Sequence, residues 1–324
     1  MSLTSLQVRQ LNNMNAAAQR AQLGTLMGNV DPYVQKIFVD PFNGDDAQAF
    51  AGESWGTAFA TMTSALAAVE TGGEIHFTGD VDEVCVGSNL VFDVSIIGHG
   101  SLHHPDQPTS AYNPAGAMWR NTAGDTAALL EVKGRGWNFI NIAFDSPASY
   151  AAVKLTRNAL SGVAEFDASH ASFVGCRFLA GKYGIEDNGG CYNVTVEGCV
   201  FTGMTTSAIA NTSASVSNPL QWKIFDNQFP SYSNTTLGNA THIDSPFSQA
   251  IIARNFFGTA ISTAKYVDLT GGNGNIVTAN FMMGVFQAVD YTSATGDSWV
   301  GNQTIDLSRG SETNAAGMSI ALPA

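Results

Sequence analysis

Glu186, Asp244, Asp268 and Asp290 each follow an aliphatic residue (Ile185, Ile243, Val267, Val289), and Ala210 follows Ile209 at the same phase. Successive side chains on a β-strand point to opposite faces, so aliphatics turned to a core leave the acids on the surface. If such strands stack ~4.8 Å apart, Asp244, Asp268 and Asp290 form one acidic column. Carboxylates that close raise one another's pKa or recruit a cation. A spacing near 5 Å suits a retaining glycosidase, whereas inverting enzymes hold their pair ~6.5–9.5 Å apart. Tyr266 shares the parity of Asp268 and offers a ring face to a sugar. The candidate site is therefore a glycan groove of Asp244, Asp268, Asp290 and Tyr266, with Asp244 and Asp268 as the candidate catalytic pair. The same aspartates also suit strand ends, as in IDSP and VDLT, where the side chain caps the turn. Both roles stay open at this point.

The elements that must position these residues are repeats. SFVGCRF, VTVEGCVF, WKIFDNQF, AIIARNFF, IVTANFM and SWVGNQT end at Phe178, Phe201, Phe229, Phe257, Met282 and Thr304, at intervals of 22 to 28 residues. NFINIAF (138–144) is a looser earlier copy. Two positions before each end stands Cys176, Cys199, Asn227, Asn255, Asn280 or Asn302, a column suited to amide side chains that bond to their own copies above and below. The acid-bearing segments form a second ladder in register with the first. Two strands per ~25 residues, each stacking on its copy, predict a parallel β-solenoid. A sandwich would need hairpin turns between neighbouring strands, and convincing Asn-Gly or Asp-Gly hairpins are missing from the repeat region. We expect a right-handed parallel β-helix from about residue 74 to residue 324.

Upstream, Trp55, Phe59, Met62, Leu66 and Val69 recur at helical spacing between a capping Ser54 and the stop at Gly72 and Gly73. This predicts a helix over 54–71 that closes the open end of the solenoid within a 31–73 linker region. Residues 1–30 are polar and free of Pro, with Leu11, Met14, Ala18 and Ala21 as a thin helical stripe, read as an attachment or oligomerisation segment.

Composition narrows the function. Only 13% of residues are charged and the net charge is −13, which argues against a phosphate-backbone ligand. No run of 18 apolar residues exists and no signal-peptide h-region opens the chain, so neither membrane insertion nor export by its own signal is expected. Cys85, Cys176, Cys191 and Cys199 lack metal spacing and read as reduced core thiols. His103, His104 and Asp106 read as a surface loop. No metal or cofactor is expected, and Trp222 and Trp299 read as packing residues.

VDPFNGDD, SWGTAFATMTSALAAV, GGEIHFTG and SIIGHGS, in that order within residues 38–102, resemble the opening of pectin-lyase-fold proteins, phage tailspikes especially. The resemblance implies a capped β-helix and a homotrimer. The enzyme signatures of the fold are largely missing: GHG at 98–100 lacks a preceding Asp pair and a following Arg-x-Lys, and nothing aligns Arg157 or Arg254 with the acidic column. The resemblance thus implies a virion structural protein of a tailed phage, a spike or head decoration. Residues 1–30 would join it to other virion proteins, and an outer face would bind host-surface polysaccharide. On this reading the chain is not an enzyme. The alternative is a polysaccharide-degrading hydrolase or lyase on the same fold.

Overall fold

Short strands alternate with tight corners along the described residues of the computed structural model. It describes residues 34–100, 102, 116–122, 127–158, 166–213, 218–230, 239–260, 265–283 and 290–305. Each turn of the chain visits a ten-stranded first sheet and then a second path, which bends into two further faces, here the second and third sheets. The long strand Arg177–Asn188 runs across that bend. Strand pairs between successive turns are parallel. The described residues form a right-handed parallel β-helix, as the repeats predict; residues 306–324 of the expected solenoid lie outside the described residues. The first rung of the β-helix lies earlier than residue 74, because Lys36–Val39 pairs in register with Glu74–Phe77.

The core is a set of aligned rows. On the first sheet Ile37, Ile75, Ile96, Phe139 and Phe173 stack inward, followed by Val196, Ile224, Ile252, Val277 and Trp299. On the second, Phe144, Phe178, Phe201, Phe229 and Phe257 form a column of near-parallel rings 4.5–5.1 Å apart. Burying each such side chain contributes about 2–3 kcal/mol, and each ring pair adds ~0.5–1.5. The corner between these sheets is held by one left-handed residue per turn: Asn141, Gly175, Gly198, Asp226, Arg254, Ala279 and Gly301 all have φ between 54° and 68°.

Just past that corner the expected amide ladder is present. Asn227 Nδ2 donates to Asn255 Oδ1 (3.0 Å), Asn255 Nδ2 to Asn280 Oδ1 (3.0 Å) and Asn280 Nδ2 to Asn302 Oδ1 (2.9 Å). Cys176 and Cys199 continue the column, their thiols donating to the carbonyls of Phe139 and Phe173. All four cysteines are buried and free. Trp222 and Trp299 are buried as well.

The helix expected over 54–71 is shorter and is split. Trp55–Thr57 makes one 3-10 turn and Met62–Ala68 is the helix proper, with Thr61, not Ser54, as its N-cap. Phe59 interrupts it because its backbone pairs with Val39 of the first strand, donating to the Phe38 carbonyl and accepting from Asp40. Met62, Ala65 and Leu66 still enter the core at the end of the solenoid. Residues Leu11, Met14, Ala18 and Ala21 lie outside the described residues, as do His103, His104 and Asp106.

Candidate functional site

Parity on the third sheet separates two rows. Cys85, Leu130, Val153, Ile185, Ile209, Ile243, Val267 and Tyr291 share the inner register. Their successors share the outer one: Val86, Glu131, Lys154, Glu186, Ala210, Asp244, Asp268 and Thr292. Two of the four expected groove residues, Asp244 and Asp268, therefore stand side by side. Neighbouring strands put them ~4.8 Å apart along the helix axis.

The two carboxylates differ in surroundings. Asp268 is half-buried, and its Oδ1 accepts the Thr270 N–H at 2.9 Å, the turn-capping bond its sequence context suggests. Asp244 is exposed and accepts no hydrogen bond from the described residues. The surrounding protein, and next the charge of Asp268, hold Asp244 above the usual carboxylate range. A carboxyl held up in this way suits a general acid.

The other two expected residues are elsewhere. Asp290 is not in the row: Asp268 pairs with Thr292, and Tyr291, not Val289, follows Val267 on the inner side. A slip of two residues keeps the in–out alternation, so QAVDYT fits the pattern at either phase. Tyr291 wins the core position, where its ring is buried and its hydroxyl donates to the Met283 carbonyl at 2.6 Å. Tyr266 offers no face to a sugar. It is only 7% exposed, and its ring packs edge-on against His242 and Tyr291.

The same row holds a group that the repeat alignment passes over. Lys154, on the strand Ala151–Thr156, sits in register between Glu131 and Glu186. Those glutamates are engaged sideways: Glu131 accepts from Thr156 Oγ1 (2.7 Å) and pairs with Lys133 (3.3 Å), and Glu186 accepts from Thr212 Oγ1 (2.7 Å). The Lys154 ammonium is ion-paired to neither. Around it opens a groove of about 290 Å³, lined also by Tyr150, Lys182 and Tyr183. AAVKLT carried the signal, an inward Val-x-Leu with Lys between, but it lies before the clearest repeats.

The remaining charged groups serve the frame. Arg254 pairs with Asp226 on the neighbouring corner, and Arg157 lies over the Tyr192 ring and donates to the Gly190 carbonyl. Neither meets the acidic row. His242 is fully buried; burial pushes it down to about 4, and its Nε2–H donates to the Gly258 carbonyl. Asp187, inward of Glu186, is pushed up to about 6 by burial, although Cys191 N–H and Asn211 Nδ2 donate to it. No cluster of three His, Cys, Asp or Glu among the described residues is arranged to hold a metal ion. No helix among them is long and apolar enough to cross a membrane.

No described protein family and no curated protein matches the chain. Solved structures do match. An alginate lyase of family PL6 is similar at 14% identity and a TM-score of 0.47, over 75% of this chain and 37% of its own. A lacto-N-biosidase of family GH136 from Eubacterium ramulus is similar at 10% and 0.48, over 84% of this chain and 60% of its own. A rhamnogalacturonan lyase is similar at 8% and 0.40, over 83% and 87%. This chain thus spans less than two thirds of the length of each of the first two. The likeness is one of fold. By their names the matching structures are carbohydrate-acting enzymes and none is a phage protein, so the expectation of a non-enzymatic phage virion, tailspike or capsid-decoration protein is not upheld by them.

Proposed function

We propose that the chain is a glycan-cleaving enzyme that holds a polymer along the outer row of the third sheet and hydrolyses it at Asp244 and Asp268. The observation that carries this is the row itself: seven adjacent strands, from Glu131's to Thr292's, present polar or charged side chains in one line, broken only by Ala210. A straight row with a ~4.8 Å repeat suits a ligand that itself repeats. Asp244, held protonated to higher pH, donates a proton to the leaving oxygen. Asp268, fixed by the Thr270 N–H, attacks the anomeric carbon or stabilises its positive charge. Lys154, three strands from Asp244, binds an acidic or hydroxyl-rich part of the polymer.

One observation favours a second reading. An ammonium unpaired between two glutamates, beside two tyrosines, could neutralise a uronate and support β-elimination at the groove. A panel of neutral and uronate polysaccharides separates the two. Hydrolysis yields new reducing ends without ultraviolet absorbance, and depends on Asp244. Elimination yields an unsaturated, absorbing product, and depends on Lys154. No release from any polymer, with both variants equal to wild type, would sink both readings. The homotrimer drawn from the resemblance is open to light scattering of the full chain.

A further inference from the structure

On the outer face of the first sheet, at the far end from the acidic pair, two imidazoles meet in line. His76 Nδ1 lies 2.9 Å from His99 Nε2. The other nitrogen of His76 is 3.0 Å from Glu74 Oε2, and Glu74 is itself paired with Lys36 at 3.4 Å. His76 stands on the strand Glu74–Phe77, and the His99 backbone N–H donates to the Phe77 carbonyl, so strand pairing sets the two rings face to face. Phe38 stacks on His76 at 5.3 Å. Trp55, which opens the 3-10 turn Trp55–Thr57, packs against Phe38 at 5.0 Å and against His99 at 5.4 Å.

These contacts fix where the protons sit. A carboxylate oxygen only accepts, so His76 Nε2 carries a proton toward Glu74. With both rings neutral, His76 Nδ1 is then a lone pair and the His99 Nε2–H donates to it. One added proton fits: His76 donates from both nitrogens, and His99 accepts at Nε2 with its own proton on Nδ1. A second added proton does not fit, because N–H would face N–H across 2.9 Å and two like charges would meet. Burial, then the neighbouring His76, accordingly holds His99 below the usual imidazole range. The other titratable groups on the strands and turn packed here are Lys36 and Glu74, paired with each other, and the exposed Glu53 two residues before Trp55.

We propose that the His76–His99 contact is an acid-released latch, which ties the second rung of the β-helix to the third, holds the Trp55–Thr57 turn against them, and opens when both rings are charged. Opening parts the imidazoles and frees Trp55 from His99. The neighbouring supports do not titrate: the Ser54 N–H donates to Thr57 Oγ1 at 3.1 Å, and the Phe59 N–H to the Phe38 carbonyl at 2.8 Å. The rungs therefore stay paired and the turn alone loosens. His99 titrates below its ordinary 6.5, so the latch contributes fully above pH 6.5 and is lost as pH falls through the lowered value. The acidic row stands on another sheet, and the latch does not depend on it.

The test is an acid titration of the full chain from about pH 8 to about pH 4, across the imidazole range, followed by imidazole nitrogen NMR, Trp fluorescence and amide exchange. At neutral pH the spectrum should show a proton on His76 Nε2 and on His99 Nε2. His99 should charge below 6.5, and Trp55 fluorescence and the exchange protection of residues 54–57 should fall with it. Trp55→Phe should remove the fluorescence step. His76→Phe keeps a ring against Phe38 but removes the second charge. It should move the His99 midpoint up toward 6.5 and leave residues 54–57 weakly protected at every pH. Should that variant fail to fold, His99→Phe, at an exposed position, should likewise erase the acid step in protection. A His99 midpoint unmoved in His76→Phe, or wild-type protection at 54–57 that holds while His99 charges, overturns the proposal.

Discussion

Asp244→Asn separates a catalytic dyad from a structural one, because the two roles move activity and stability in opposite directions. Asp244 accepts no hydrogen bond from the described residues, so the amide forfeits no bond. It also removes one of two like charges in direct register, which relieves about 0.2–1 kcal/mol of cross-strand repulsion. The variant should therefore unfold at equal or slightly higher urea. Loss of a general acid costs about 10²–10⁴ in rate, or roughly 3–5 kcal/mol of transition-state stabilisation. Asp268→Asn should be similarly inactive. In a slow residual reaction it should also move the alkaline limb of the pH profile to lower pH, because the charge that helps hold Asp244 up is gone. Adjacent strands place the carboxyls close to the ~5–5.5 Å of a retaining pair, so the first product seen by NMR should keep the anomeric configuration of the substrate. Reducing-end release, proton NMR of the nascent anomer and urea unfolding are the assays. Inversion of configuration, or an Asp244→Asn protein that loses stability and keeps its kcat, refutes the dyad.

Three further outcomes follow from the same geometry. Lys154→Met should raise KM for the polymer without lowering Tm, since Lys154 is ion-paired to neither neighbouring glutamate; an unchanged KM removes it from the binding row. Asn255→Ala should cost about 3–9 kcal/mol, because it strips partners from the buried Asn227 N–H and Nδ2 and from the Ile224 carbonyl, at ~1–3 kcal/mol for each orphan; a loss below ~1 kcal/mol in urea unfolding would contradict the ladder's role. Two buried groups should oppose one another in acid. His242 sits at about 4 against an ordinary 6.5, so its contribution is complete above pH 6.5 and is lost as pH falls toward 4, on the order of 3 kcal/mol. Asp187, at about 6 against 3.8, contributes below pH 3.8 and loses that contribution as pH rises through 6. Asp187→Asn should therefore stabilise by up to about 3 kcal/mol at pH 8 and expose a steeper acid limb; no gain at pH 8 would show that Asp187 is not held up by burial.

The solenoid was legible because its core rows depend on sequence periodicity alone. The Phe178, Phe201, Phe229 and Phe257 column and the Asn227 to Asn302 ladder need only equal register on each turn, and their spacing displays it. Asp244 and Asp268 were placed for the same reason. What the pattern left undetermined was phase by two residues, which keeps every side chain on its face and so could not tell Val289–Asp290 from Tyr291–Thr292. Backbone demands from distant strands were equally hidden. The helical stripe from Trp55 to Val69 is continuous in sequence, but Phe59 spends its backbone on the first strand and the helix begins after it. Lys154 went unseen because its neighbours in register, Glu131 and Glu186, lie more than twenty residues away on either side.

The fold itself has no need of a charged row. On the first sheet the outward positions carry Val174, Ile251, Ile276 and Val300, each partly exposed, and the strands pair there as regularly as on the third. Within the third-sheet row, Ala210 and Thr292 occupy the same register as the aspartates, so a neutral side chain fits every geometric demand. Two aspartates in register repel, and a lysine set between two glutamates without an ion pair to either adds little to stability. Asp268's bond to Thr270 accounts for one of these residues as a turn cap. It accounts for neither Asp244 beside it nor Lys154 four strands away. Charges that the scaffold does not use, arranged in one line on one face, are best explained by a ligand that runs along that line.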